Sequence, residues 1–322
     1  MSYIVESSLK LIKPIYRRSS FHRSVIEEVD EQQLRNAYAT CRSITKHYAK
    51  TFYMATRFLP NHKQRSIFAI YALCRYLDNL VDEAEDLIKQ KKINHSQIYD
   101  KLVDWKSKLQ STYDGNLHDD AILYAFSDVL KRYYIPIDLP FLLVEGVYTD
   151  QVKNRFQTFE EVYDYSYKVA SVVGLITSKV FGYQDPTAKQ YAIDLGIAMQ
   201  LTNIIRDVGE DIERGRIYLP MEDLHRFNVD EQKFLSGTMT PNTKNLLAFQ
   251  VNRARSYYQK AEPGIQLLDR DSRLPVYLAS RNYSRILDKV EENNYDVFSQ
   301  RAYLNSTEKL RILPKVWFQM VC

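Results

Sequence analysis

Residues 200–211 read QLTNIIRDVGED, and on a helix, at about 100° per residue, Gln200, Asn203, Asp207 and Asp211 fall in one stripe. Ile204, Ile205 and Val208 take the rest of the surface and point toward a core. A buried helix face is ordinarily apolar, and an exposed one ordinarily mixes Lys with Glu. This stripe does neither. It carries two amides, two carboxylates and the neighbouring Arg206, and the apolar run LGIAMQLTNII (195–205) leads into the carboxylates. Carboxylates in such surroundings need a partner that neutralises them.

A second acidic segment lies upstream, in YALCRYLDNLVDEAED (71–86). Asp78 and Asp82 share a helical face, with Arg75 one turn before and Tyr71 a turn before that. One i, i+4 pair of aspartates on a helix is common on solvated surfaces. Two such pairs, each with an Arg nearby and each embedded in apolar helix (FAIYALC precedes the first), are hard to read as surface.

If the two segments face each other across a bundle, four carboxylates converge on a cavity and require cations. Hard oxygen ligands without His or Cys select Mg²⁺, with Mn²⁺ as a substitute. Mg²⁺ is commonly held by a few carboxylates together with substrate phosphate, and Arg75 and Arg206 suit bidentate phosphate contact. Asn203 and Gln200 add neutral oxygens. Other carboxylate-rich designs fit less well. A di-iron bundle wants Glu-x-x-His, a calcium loop wants DxDxDG, a P-loop wants its glycines, and none of these patterns occurs. Asp119-Asp120 follows the turn YDGNLH and is read as a helix cap.

Around these segments the pattern is helical from about residue 30 onward. It predicts an all-α chain of roughly ten helices with short connections. Asn61 with Gln64 and Thr158 with Glu161 are spaced as capping boxes, Asp185-Pro186 as a cap before a first-turn proline, and Gly182 as a helix stop. Residues 1–29 read as a basic N-terminal arm and 30–322 as one domain. The 322-residue chain has only 9 Gly and 10 Pro and no linker-like stretch, which argues against a two-domain division. Its 25 Tyr supply apolar area with electron-rich faces. A net charge of +4 suits anionic ligands or an anionic membrane surface and is too small and dispersed for nucleic acid. Cys41, Cys74 and Cys322 are scattered, fitting a reducing compartment, with Cys41 and Cys74 expected as small buried hydrophobes. No apolar run has the length of a bilayer-spanning helix, and the N-terminus lacks a signal-peptide core. The expectation is a cytoplasmic protein in peripheral contact with the inner face of a membrane.

DNLVD (78–82) together with QLTNIIRDVGEDIERGRIYLP (200–220) resembles the squalene and phytoene synthases, the head-to-head prenyltransferases. AKTFYMATRFLP (49–60), YALCR (71–75), YSYKVASVVG (165–174) and NNYDVFSQRAY (293–303) extend the resemblance over most of the chain. It implies an isoprenoid-synthase-type helical bundle around a central cavity. Asp78 and Asp82 would bind Mg²⁺ from one side, and Asp207 and Asp211 from the other, with Asn203 and Gln200 assisting. Lys50, Arg75, Arg206 and Arg216 match basic positions near two diphosphates, and Tyr71, Tyr165 and Tyr218 match tyrosines near the reacting carbons. Phe52, Phe68, Val169, Ala170 and Gly174 are candidates for the prenyl tunnel. Gly174 and Gly196, each costing about 1 kcal/mol relative to Ala inside a helix, suggest close backbone approach or room for a chain.

The implied reaction condenses two prenyl diphosphates through a cyclopropyl diphosphate. NNYDVFSQRAY and RDVGEDIERGRIYLP are most similar to phytoene synthases, which favours two geranylgeranyl diphosphates and no NADPH. The VASVVGLITSKVFG stretch also resembles bacterial presqualene diphosphate synthases. Condensation of C15 farnesyl diphosphate to presqualene diphosphate, squalene or dehydrosqualene is therefore the runner-up. A non-catalytic helical scaffold relative is the rival of another class, and it would be expected to lose the metal aspartates. A head-to-tail chain-elongating synthase resembles DDxxD, where this chain has Asn79.

Overall fold

The computed structural model describes residues 24–89 and 95–310; the side chains of residues 81–96 lie outside the described set. Ten principal helices carry the fold: α1 Gln32–Tyr48, α2 Asn61–Lys89, α3 His95–Tyr113, α4 Ala121–Arg132, α5 Asp138–Val152, α6 Phe159–Ser166, α7 Val172–Phe181, α8 Ala188–Arg206, α9 Pro241–Ala261 and α10 Arg270–Glu292. Short helical turns fill several connections, and no strand occurs among the described residues, only the isolated bridges Arg155–Ile217 and Tyr183–Leu268.

Local chemistry explains most of the boundaries. Asp120 caps α4, its carboxylate accepting from the amides of Ile122 (2.9 Å) and Leu123 (3.0 Å). Thr158 accepts from the Glu161 amide at the start of α6, while the Glu161 carboxylate accepts from the Gln157 amide (2.6 Å), so both side chains cap the helix start. Asp185 accepts from the Thr187 amide (2.9 Å) ahead of α8. Gly182 ends α7 with φ +77°, a conformation that an L side chain resists. The capping box expected at Asn61 and Gln64 does not form. Asn61 donates to Glu28 (2.7 Å) and Gln64 donates to the Thr56 carbonyl (3.0 Å), because neighbouring segments offer both amides stronger partners than the helix end.

Two apolar clusters make up most of the interior. One lies among α1 to α5 and α7, with Phe68, Trp105, Phe126 and Ile176; the other lies among α6, α8, α9 and α10, with Ile197, Leu201, Leu246 and Leu287. Tyr167 packs against both. It begins a π-helical turn, Tyr167–Ser171, inserted between α6 and α7. Such single-turn insertions re-aim the side chains that follow. Close approach of α8 to this turn requires glycine: a Cβ on Gly196 would lie 2.4 Å from Ser171 Cα. Gly174 is similar, with the Ala192 carbonyl oxygen 2.9 Å from where its Cβ would be. Of the two uses expected for these glycines, the structure shows close backbone approach.

The folded chain begins earlier than the expected boundary at residue 29. Ser24–Glu27 is helical, Val25, Ile26 and Val29 are buried in the first cluster, and Arg65 donates to the Val25 carbonyl (2.7 Å). Residues 1–23 lie outside the described set. Buried Lys63, in the first turn of α2, donates to the Phe181 carbonyl (2.9 Å), Asp271 (2.7 Å), Asp269 (3.1 Å) and Ser272 (3.1 Å). One ammonium thus ties the base of the first acidic helix to the end of α7 and the start of α10. Cys41 and Cys74 are unpaired, Cys41 wholly buried and Cys74 half-buried, with burial pushing both thiols up; Cys322 lies outside the described residues. Among the described residues, no helix is long and apolar enough to cross a membrane.

Candidate active site

On α2, one face presents Tyr71, Arg75 and Asp78 in successive turns. The Arg75 guanidinium lies 4.4 Å from the ring centre of Tyr48, a cation–π contact, and 4.0 Å from the Asp78 carboxylate. Asp78 is half-exposed, its side chain at 51%. Tyr71 packs on Phe52 (ring centres 5.7 Å apart), and burial raises its hydroxyl pKa. Asp82 continues this helix by one turn, but its side chain is outside the described residues.

The second segment differs from the sequence expectation in its backbone. The stripe from Gln200 to Asp211 is not one uninterrupted helix, because α8 ends at Arg206 and Asp207 joins it to a short helix, Val208–Glu213. The cause lies at Gly209, whose amide donates to the Val297 carbonyl (3.2 Å) and whose missing Cβ lets that chain approach. Asp207 keeps the helical bond to the Asp211 amide (2.9 Å), so the acidic residues remain on one side.

Asp207 is gripped from two directions. Arg206 donates through Nε (2.7 Å) and Nη2 (2.5 Å), and Arg301, from the loop after α10, donates through Nε (2.8 Å). Burial opposes its charge, yet the two guanidiniums outweigh that and hold its pKa below the ordinary carboxylate value. Arg206 is also hydrogen-bonded to Tyr283 of α10. Asp211 has the opposite fate. Burial, with Asp207 nearby, pushes its pKa up to about 7 against the pull of Arg216. Asn203 donates to Gln200 (3.1 Å), and its Oδ1 is a buried acceptor with no partner.

Between the segments stands an aromatic stack. Tyr165, Tyr218 and Phe156 lie with ring centres 5.2–5.6 Å apart. The Tyr218 hydroxyl donates to Asp150 at the end of α5 (2.9 Å), Tyr165 is hydrogen-bonded to the same carboxylate, and Arg216 donates to the Asp150 backbone carbonyl. Burial keeps both phenols protonated well beyond their ordinary range. Phe156 and Tyr165 also border a cleft of ≈ 390 Å³, whose rim of Glu160, Glu161 and Asp164 against Lys153 is too acidic for a diphosphate.

The structure brings the two acidic segments within electrostatic reach of shared tyrosines. Tyr71 senses Asp78 and Tyr283, and Tyr283 bonds the Arg206 that holds Asp207. Tyr165 senses Asp78 on one side and Asp150 and Tyr218 on the other, and Asp150 in turn acts on Asp211. Among the described residues, however, no three His, Cys, Asp or Glu side chains stand together as a ready metal cage. Asp207 is turned onto guanidiniums, and Asp78 is half-exposed. The orphaned Asn203 oxygen and the reluctantly ionised Asp211 are the observations that fit a cation between them.

Of the other residues singled out from sequence, Arg216 and Tyr218 are buried beside Asp211, whereas Lys50 is exposed after the irregular residue Ala49. Phe52 lies beside Tyr71. Phe68 is fully buried and stacks on Tyr53 (5.5 Å), so it packs as core. Val169 and Ala170 sit in the π turn, and Gly174 follows in α7. Asp150, Tyr283 and Arg301 were not foreseen. Arg301 stands inside NNYDVFSQRAY, so that stretch was the available signal; Asp150 and Tyr283 carry no local pattern.

An all-α bundle that sets two acidic helical segments about shared tyrosines and guanidiniums has the architecture of the isoprenoid synthases. The chain belongs to the squalene/phytoene synthase family, whose profile matches residues 45–308. It is 43% identical to a 15-cis-phytoene synthase of Synechocystis sp. over 297 residues, covering 88% of this chain and 85% of the relative. It is also 43% identical to the 15-cis-phytoene synthase of Synechococcus elongatus, covering 87% and 92%. Among solved structures, a dehydrosqualene synthase in complex with ligand superposes with a TM-score of 0.80 at 28% identity, covering 90% of this chain and 98% of that one. A squalene synthase from Alicyclobacillus acidocaldarius, at TM-score 0.75 and 22% identity over 84% of this chain and 98% of its own, shares the fold.

Proposed function

We propose that the protein condenses two molecules of geranylgeranyl diphosphate head to head into phytoene, through a cyclopropyl diphosphate. The reading rests above all on 43% identity to phytoene synthases along nearly the whole of both chains, with the acidic segments, guanidiniums and tyrosines all present.

In this reading Asp78, Asp82, Asn203, Asp207 and Asp211 would hold Mg²⁺, or Mn²⁺ in its place, which when bound would supply positive charge for the departing diphosphate. Arg75, Arg206 and Arg216, with Lys50 and Gln200, bind and orient the diphosphates. Breaking the C1–O bond of the first substrate leaves an allylic cation. The double bond of the second substrate attacks it, and loss of a proton closes the cyclopropane ring. A second ionisation, rearrangement and proton loss give the hydrocarbon. Tyr71, Tyr165 and Tyr218 are kept protonated by burial, so they offer ring faces to cationic carbon and not phenolate nucleophiles. Phe52, Val169 and Ala170 would line an apolar tunnel that keeps water from quenching the cation, with Phe68 as core packing and Gly174 as the close helix contact that support it. The product has no polar group, which favours peripheral contact with a membrane from the cytoplasmic side; a vesicle flotation assay tests that contact.

Incubation with geranylgeranyl diphosphate and Mg²⁺, followed by mass analysis, tests the central reading. A C40 hydrocarbon is expected without NADPH. The likeness to a dehydrosqualene synthase keeps a second reading, C30 products from farnesyl diphosphate. A longer diphosphate, or no product from either substrate, would refute both.

A further inference from the structure

The least explained residue of the site is Asp150. Its carboxylate takes hydrogen bonds from two phenols, Tyr218 (2.9 Å) and Tyr165, and its backbone carbonyl takes one from Arg216. Those three partners come from two separate stretches of chain, α6 and the loop before Met221, while Asp150 itself belongs to α5. Ring stacking alone sets the planes of Tyr165 and Tyr218, which lie 5.4 Å apart and 29° from parallel. It does not fix the direction of each hydroxyl. A shared carboxylate does.

We propose that Asp150 is a positioning residue for the condensation: it locks Tyr165 and Tyr218 in one orientation toward the reacting carbons and lends them negative charge from behind. This rests on the prenyltransferase reading given above. A phenol that donates to a carboxylate has a more electron-rich ring, which strengthens its attraction for a cation. A bare carboxylate at the same place would instead be alkylated by an allylic cation. With two hydroxyls donating to its oxygens, Asp150 contributes field without offering a free nucleophile. The raised pKa values of both tyrosines agree with this arrangement, since ionising either phenol beside Asp150 would place two negative charges together.

Steady-state kinetics and product analysis of Asp150→Ala and Asp150→Asn, alone and combined with Tyr165→Phe, test the assignment. Asp150→Ala should lower kcat by roughly 10- to 100-fold, the size of effect that a misplaced active-site group produces, with KM little changed. A larger share of turnover should end as water-quenched alcohols or as the cyclopropyl diphosphate. Asp150→Asn retains an acceptor and should fall between Ala and wild type. Adding Tyr165→Phe to Asp150→Ala should cost less than the product of the single effects, because both remove one interaction.

Three results would overturn the proposal: an unchanged product distribution with only a lower Tm, a raised Mg²⁺ requirement that makes Asp150 a metal ligand, or fully multiplicative double variants. If the Ala variant does not fold, the Asn variant answers the same questions. Failure of the wild type to condense either prenyl diphosphate would remove the underlying reading, a different outcome from a wild type that condenses and an Asp150→Ala variant that matches it.

Discussion

The two acidic segments carry the same residue types but are held in different ways. Asp78, on an unbroken helix, is half in solvent, with the Arg75 guanidinium 4.0 Å away. Asp207 stands at a helix break, its side chain only 20% exposed, clasped by Arg206 and Arg301. Burial explains the contrast. An exposed carboxylate is stabilised largely by water, whereas a buried one must be paired or protonated. Asp207 is paired and Asp211, four residues on, tends to keep its proton. The second segment is therefore preorganised by buried ion pairs, whereas the first carries its carboxylate at a water-exposed position.

The largest expected effect breaks the symmetry of function that this contrast hides. Replacing Asp82 or Asp207 by Ala should each cost at least roughly 10³-fold in kcat, about 4 kcal/mol of transition-state stabilisation. Helical content by circular dichroism should persist in both. Stability should separate the segments: Asp78→Ala, at a half-exposed side chain, should leave Tm nearly unchanged, while Asp207→Ala should lower it, because two guanidiniums lose their acceptor. Near-normal turnover in the Asp82 or the Asp207 variant would remove that residue from the metal set.

Metal binding should sharpen the comparison through pH. The Asp211 carboxyl lies near 7 in the folded chain against an ordinary 3.8, so the folded protein binds the extra proton between those values. Stability contributed by that proton is complete below about pH 4 and is lost as pH rises to 7. Metal-free protein should accordingly lose Tm across that window, and Mg²⁺ should restore it most at pH 8. At a hundredfold excess over Kd the gain is about 2.7 kcal/mol. Calorimetry at pH 5 and pH 8, with Mg²⁺ and with EDTA, checks both halves. An equal Mg²⁺ shift at the two values would detach Asp211 from the metal.

Periodicity was enough to make both segments legible. Aspartates at i, i+4 in apolar helix stand out, as do caps such as Asp120 and Thr158, whose partners are their own neighbours in sequence. Features that depend on distant chain were silent. Nothing near Asp150 announces two phenols from elsewhere, and nothing near Lys63 announces four acceptors from α7 and α10. The π turn at Tyr167–Ser171 is equally unreadable, since its composition, YKVAS, is ordinary helix. The break at Asp207 escaped for the same reason: it is imposed by Val297 approaching Gly209. Asn61 and Gln64 show the converse, a local signal overruled by better long-range partners.

Gly196 tests how far the second segment depends on its seat. It lets α8 approach the π turn, which lies next to Tyr165, so the distance between the stripe and the aromatic stack is set there. Gly196→Ala places a methyl 2.4 Å from a backbone atom that has no rotamer to yield. Overpacking of this kind costs about 1–3 kcal/mol. Denaturant unfolding should register the loss, and kcat should fall with it. A neutral result would mean that α8 can slide without disturbing the site. The equivalent change at Gly115, where a Cβ meets nothing within 4 Å, should leave kcat untouched despite its left-handed φ of +90°.

Arg301 supplies the smallest and most discriminating effect. Its side chain is 52% exposed, so solvent screens its pairs with Asp207 (2.8 Å) and Glu210 (3.1 Å), and their contribution to stability is slight. If preorganisation of Asp207 needs both guanidiniums, Arg301→Ala should lower kcat about tenfold, about 1.4 kcal/mol, while Tm barely moves. Lys in its place keeps the charge and loses the directed Nε–H, so Arg301→Lys should recover only part of the rate. Equal activity of the Ala variant and wild type would show that Arg206 alone holds the carboxylate. Full recovery by Lys would show that charge, and not the aim of a hydrogen bond, is what the loop after α10 brings to the second segment.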